Sequence, residues 1–154
     1  MKFVKKVRRT KKPAVRKHPS EHQIQSRLID QLAWALKPEL EIRAIPNGGL
    51  RKKSVAIALK AEGVKSGTPD LVVCLPEGKV GWLEMKTQIG RLEKEQEAFR
   101  DKVLLLGHLW AMARSVREAM IVLTTWGAIR REWEEHEGDE VEEDNPYLAY
   151  AEAA

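Results

Sequence analysis

GTPDLVVCLPEGKVGWLEMK, residues 67–86, is the stretch from which the fold is read. It holds two short apolar runs, 71–75 and 80–83, separated by Pro76-Glu77-Gly78. Proline suits the second position of a type I turn, and glycine accepts the left-handed conformation that follows. The combination predicts a hairpin with a three-residue loop and a bulge at Gly78. In that register Leu75 faces Lys79, and counting outward brings Asp70 opposite Glu84. Alternate residues of a strand share a face, so Lys86 joins Glu84. A two-residue loop would shift the register by one and send Asp70 to the other face.

Two carboxylates and one ammonium therefore converge at the mouth of one hairpin. Facing carboxylates repel unless a cation sits between them. Hard divalent cations such as Mg²⁺ take carboxylates, carbonyls and water as ligands. An ion held there would polarise a phosphate and acidify a water molecule. Lys86 would orient that water or meet charge developing on the phosphate. On these three residues alone, a surface hairpin whose charges neutralise one another stays equally open.

Working outward, residues 20–36 predict a helix. Ser20 and Gln23 form a capping-box pattern, and Ile24, Leu28, Ile29, Leu32, Ala35 and Leu36 form an apolar stripe. Glu21 and Gln25 lie one turn apart on its flank. Glu21 is favoured there by the helix dipole whatever else it does. Pro38 ends the helix, residues 39–45 read as a strand, and Pro46-Asn47-Gly48-Gly49 breaks it. Arg51, Lys52 and Lys53 follow at the start of a helix over 50–62, with Val55, Ile57, Ala58 and Leu59 apolar. Asn47, Arg51, Lys52 and Lys53, with Lys65 beyond the helix, are the candidate phosphate contacts. After Lys86 come a turn at 87–90, a helix over 91–106 carrying Leu92, Gln96, Phe99, Val103 and Leu106, and a strand at 108–114. Ser115 caps a last helix over 116–126. The order αβαββαβα predicts an α/β fold with a four-stranded mixed sheet and helices on both faces.

Composition bounds the function. The chain has 154 residues, 43% apolar and 32% charged, which is one soluble globular domain with a real core. Its single cysteine, Cys74, allows no internal disulfide and reads as a small core residue. His108 reads as structural, and most of the five tryptophans as core, with Trp133 the one expected at the surface. No run is long enough to span a membrane, and no signal peptide is evident, so a cytoplasmic location is expected. Residues 1–17 carry nine Lys or Arg and no acid, and 132–144 carry nine Asp or Glu and no Lys or Arg. Between them, residues 18–131 carry 18 basic and 13 acidic side chains. A basic body suits a polyanion. The expected organisation is a basic, disordered arm (1–19), a folded domain (20–131) and an acidic, mobile tail (132–154).

Glu21 and Gln25, Asn47-Gly48-Gly49, Gly67-Thr68-Pro69-Asp70, Glu84-Met85-Lys86 and Gln96, in this order, resemble the VRR-NUC nucleases of the PD-(D/E)xK superfamily. The resemblance covers roughly residues 20–126. It implies a restriction-endonuclease-like core and cleavage of DNA, often branched DNA such as a Holliday junction, with Mg²⁺ or Mn²⁺. It implies that Glu21, Asp70 and Glu84, with the Met85 carbonyl, hold the metal, that Lys86 assists the attacking water, and that Gln96 supports the site. It also implies a homodimer, no organic cofactor, and a viral or prophage setting. A non-catalytic DNA-binding module on the same fold is the alternative, although phosphate binding alone has no need of the acids. A small-molecule metalloenzyme lacks a His-rich ligand set.

Overall fold

The computed structural model describes residues 19–46 and 53–130. The basic arm up to His18, Asn47, Arg51, Lys52, Trp133 and the acidic tail lie outside the described residues. The elements are α1 (Glu21–Ala35), β1 (Glu41–Ala44), α2 (Lys53–Ala61), β2 (Leu71–Cys74), β3 (Val80–Met85), α3 (Lys94–Leu105), β4 (Leu109–Ala113) and α4 (Val116–Thr125). The strands lie in the order β1-β2-β3-β4. β2 pairs antiparallel with both β1 and β3, and β3 pairs with β4 in parallel across the α3 crossover. This is the expected four-stranded mixed sheet.

The central hairpin has the expected register by a different turn. Leu71 pairs with Leu83 and Cys74 with Val80, which puts Asp70 across from Glu84. Both Glu77 (φ 59°) and Gly78 (φ 74°) are left-handed. The Lys79 N–H donates to the Pro76 carbonyl at 3.2 Å, closing a type I′ turn rather than type I. Pro76 has no N–H to give to Lys79, so Leu75 donates to the Lys79 carbonyl instead, at 3.0 Å. Pro76 becomes the extra residue that keeps the count at three.

Alternation divides the sheet into two faces. Leu71, Val73, Leu83, Met85, Ala111 and Ala113 turn toward α1 and α4 and join Ile24, Leu28, Leu32, Met120 and Leu123 in the larger core. Trp110 and Met112 turn the other way, toward Val103 of α3, with Trp82 and Phe99 packed edge to face at a centroid distance of 4.9 Å. Ser20 caps α1 as read, with the reciprocal Gln23 bond at 2.9 Å. Ser115 caps α4, accepting from the Glu118 N–H at 3.1 Å.

Several side chains depart from the sequence reading. Cys74 is exposed, not core. It shares the α3 face of the sheet but lies near the hairpin tip. Trp34 is 46% exposed, on the outer side of α1. Ile29 and Leu106 fall outside the cores because one helix turn cannot aim every apolar residue inward. α2 buries no residue: Val55 is 44% and Ile57 62% exposed. The helix flanks the sheet instead of lying on it, and Ala56, Leu59 and Lys60 line a cleft.

Candidate active site

The cleft holds about 890 Å³ and opens where β2 enters and β3 leaves the sheet. Asp70 stands just before β2. Its backbone is fixed from the β1 side, where its carbonyl accepts the Ile45 N–H at 2.7 Å. Its Oδ2 accepts the Met85 N–H at 2.9 Å, which ties it across the hairpin to β3. Glu84 and Lys86 follow from β3 on the same face. Glu84 is 2% and Lys86 9% exposed. Lys86 Nζ lies 2.7 Å from Glu84 Oε1. Glu21, in the first turn of α1, lines the same cleft, and its Oε1 accepts the Thr87 N–H at 3.4 Å.

α3 supplies Gln96, and the helix start decides how it points. Gln96 Oε1 accepts the Glu93 N–H at 2.9 Å, a capping contact. Its NH₂ is thereby turned to Glu84 Oε1, to which it donates at 2.5 Å. α3 is brought close by Gly67, which has φ +85° and whose missing side chain leaves room for the Glu95 backbone.

The electrostatics follow from burial. Desolvation pushes the Glu84 carboxyl up to about 7, and the neighbouring Asp70 charge adds to the rise against the opposing pull of Lys86. Asp70 is raised chiefly by burial, with the Met85 N–H and Lys86 working against it and Glu21 with it. For Lys86 burial acts downward, yet the bond to Glu84 and the charges of Glu84, Glu21 and Asp70 prevail and raise it. Lys86 is thus held as an ammonium within a field of excess negative charge.

The sequence model of the VRR-NUC domain matches residues 10–116, more than half of the chain. The chain belongs to the VRR-NUC domain family. A solved structure described as "VRR_NUC domain protein" superposes with a TM-score of 0.57 at 17% identity, covering 71% of this chain and 89% of that one. A second, described as "VRR_NUC domain", gives a TM-score of 0.47 at 19% identity over 68% of this chain and 94% of that one. No curated protein sequence matches. The VRR-NUC family is of nuclease type, which implies hydrolysis of DNA and hence DNA binding. No helix among the described residues is long and apolar enough to cross a membrane.

Within this VRR-NUC fold, Glu21, Asp70, Glu84, Lys86, Gln96 and Lys65 all line one cleft. Met85 turns its side chain into the core, so only its backbone faces the site. Lys53 starts α2 away from the cleft lining. Among the described residues no three His, Cys, Asp or Glu side chains are gathered as a ready-made metal cluster. Glu84 Oε1, Asp70 Oδ2 and Glu21 Oε1 are each engaged with an N–H or ammonium. Glu84 Oε2, by contrast, is buried with no hydrogen-bond partner. A buried, unsatisfied oxygen beside a second carboxylate fits a hard divalent cation in kind. Sequence reasoning missed Arg114, whose guanidinium holds the loop after Lys86, and Lys60, which lines the cleft. Arg114 carried no signal beyond its place at the end of a strand.

Proposed function

We propose that this protein is a divalent-metal-dependent endonuclease that hydrolyses DNA phosphodiester bonds, selectively in branched DNA such as a four-way junction, and acts as a homodimer in the cytoplasm. The observation that carries the reading is the facing of Asp70 and Glu84 across one hairpin, with Lys86 2.7 Å from Glu84 and Glu84 Oε2 left without a partner. Asp70, Glu84 and Glu21, with the Met85 carbonyl, would hold Mg²⁺ or Mn²⁺. When bound, such an ion supplies Lewis acidity toward the phosphate and the attacking water.

The chain's own groups do the rest. Lys86, kept protonated, donates hydrogen bonds and cannot accept a proton. Its part is to hold the attacking water and offset charge on the phosphate. Gln96 donates to Glu84 Oε1 and fixes that carboxylate, leaving Oε2 as its unengaged oxygen. The water gives up one proton to solvent as its oxygen bonds to phosphorus and the bond to one ester oxygen breaks, and the departing oxygen takes up a proton from solvent. Lys65 at the cleft, Lys53 at the start of α2, and Asn47, Arg51 and Lys52 before it would meet flanking phosphates. Exposed Val55 and Ile57 on α2, and Leu105 and Leu106 at the end of α3, support self-association. Two sites related by a two-fold axis suit a two-fold junction.

The test is incubation of the pure full-length protein with labelled four-way junction, flap, single-strand and linear duplex DNA in Mg²⁺, Mn²⁺ or EDTA. Symmetric junction cuts that vanish in EDTA and in Lys86→Ala are expected. Binding to all four without any cut in either metal overturns the reading in favour of a DNA-binding module.

A further inference from the structure

The loop that follows Lys86 is gripped by a side chain outside the reacting groups. Residues 87–90 turn back on themselves, with the Gly90 N–H donating to the Thr87 carbonyl at 3.0 Å. Arg114 Nη1 donates to three carbonyls of this loop: Thr87 at 2.5 Å, Gly90 at 2.8 Å and Gln88 at 3.1 Å. Charged donors make the stronger hydrogen bonds, so the loop is anchored chiefly here. Arg114 is itself fixed on both sides along the chain. Before it, the Ala113 carbonyl accepts the Lys86 N–H at 2.9 Å, and its own N–H donates to Oε2 of the fully buried Glu118 at 3.0 Å.

The loop's other contacts run into the site. The Thr87 N–H reaches Glu21 Oε1. Gly90 lies against the Lys86 stem so closely that a Cβ there would sit 3.3 Å from Lys86 Cδ and 3.1 Å from Thr87 Oγ1. The flexible stem of a lysine does not choose one rotamer unaided. Here it is wedged between the sheet and the loop.

We propose that Arg114 is a positioning residue: by gathering the carbonyls of 87–90 it presses the loop onto Lys86 and aims Lys86 and Glu21 at Asp70 and Glu84. The proposal rests on the nuclease reading of the site. Without the guanidinium, three carbonyls lose their shared donor, the loop lifts, and the Lys86 ammonium is free to swing away from Glu84. Misplacement of a reacting group by about 1 Å is enough to lower a rate on the order of 100-fold.

The test uses the full chain with Arg114→Gln, Arg114→Lys and Gly90→Ala. Two readouts are taken beside circular dichroism: junction cleavage kinetics, and acylation of each lysine by an amine-reactive ester followed by mass spectrometry. For Arg114→Gln, kcat is expected to fall about tenfold or more while KM for DNA stays within about twofold. Lys86 labels several-fold faster, while Lys53 and Lys60 keep their rates. Arg114→Lys retains a charged donor and recovers part of both effects. Either readout staying at the wild-type level in folded Arg114→Gln overturns the proposal. If that variant does not fold, Gly90→Ala, which pushes on Lys86 Cδ directly, decides by the same two criteria. If the wild type cuts no DNA, the nuclease reading falls separately, and the labelling alone decides whether Arg114 positions Lys86.

Discussion

Glu84 is a carboxylate that burial has made reluctant to ionise, and this has a consequence for stability that can be measured without DNA. Its carboxyl titrates near 7 in the fold and at about 4.5 in the unfolded chain. The folded state therefore binds more protons between those values, and stability falls as pH rises through that window. The penalty is on the order of 3 kcal/mol and is complete about one unit above pH 7. Glu84→Gln mimics the protonated form. Its melting temperature should exceed that of the wild type by several degrees at pH 8.5, with the gap closing toward pH 5. A gap that is flat or reversed would contradict the buried-charge assignment. Asp70→Ala and Lys86→Ala remove groups that the sheet does not need for packing, so both variants should keep their circular dichroism and lose cleavage. Normal cleavage by either purified variant removes that residue from the chemistry. The placement of these groups was legible in the sequence because alternation along a strand and the length of one loop are local rules. The direction of the Gln96 amide was not, since it depends on the Glu93 cap and on where α3 lands.

At the scale of the element, the hairpin carries both the core and the site. Leu71 and Val73 fill the larger core while Asp70 faces Glu84, and one register serves both. Deleting Glu77 leaves a two-residue loop and shifts the pairing by one. That turns Leu71 and Val73 out of the core, and the protein should fail to fold or fold without activity. Glu77→Asn keeps the count. A left-handed residue other than glycine costs about 1–2 kcal/mol, and Asn followed by Gly is the favoured type I′ pair. This substitution should stabilise the protein by up to about 1 kcal/mol in chemical denaturation and leave cleavage unchanged. Destabilisation would contradict the turn described for Pro76–Gly78. The register could be read without the turn type because each of the two turns inserts one extra residue. The choice between them came from the missing N–H of Pro76 together with the twist of the strands.

For the whole molecule the controlling quantity is charge. Residues 1–17 contribute nine of the 27 basic side chains and no acid. Removing them should weaken DNA binding and flatten the slope of log affinity against log salt, by close to one unit for each phosphate the arm had neutralised. An unchanged slope would mean that the arm does not touch DNA. α2 belongs to this scale too. Its apolar residues could be counted in advance, yet none is buried within the chain, because burial depends on which surfaces the other helices already cover.

By itself, the amino-acid sequence determined the order of elements, the capping of α1 and α4, the hairpin register and so the facing of Asp70, Glu84 and Lys86. All of these arise from residues near one another in the chain, where spacing, turn length and capping chemistry act directly. Tertiary structure alone decided the exposure of Cys74 and α2, the orientation of Gln96 and the grip of Arg114 on residues 87–90. Arg114 meets that loop only because β4, returning through α3, lies parallel to β3 and ends beside it. A contact made across a crossover leaves no periodic trace in sequence, since its two partners obey separate local rules and are joined only by packing.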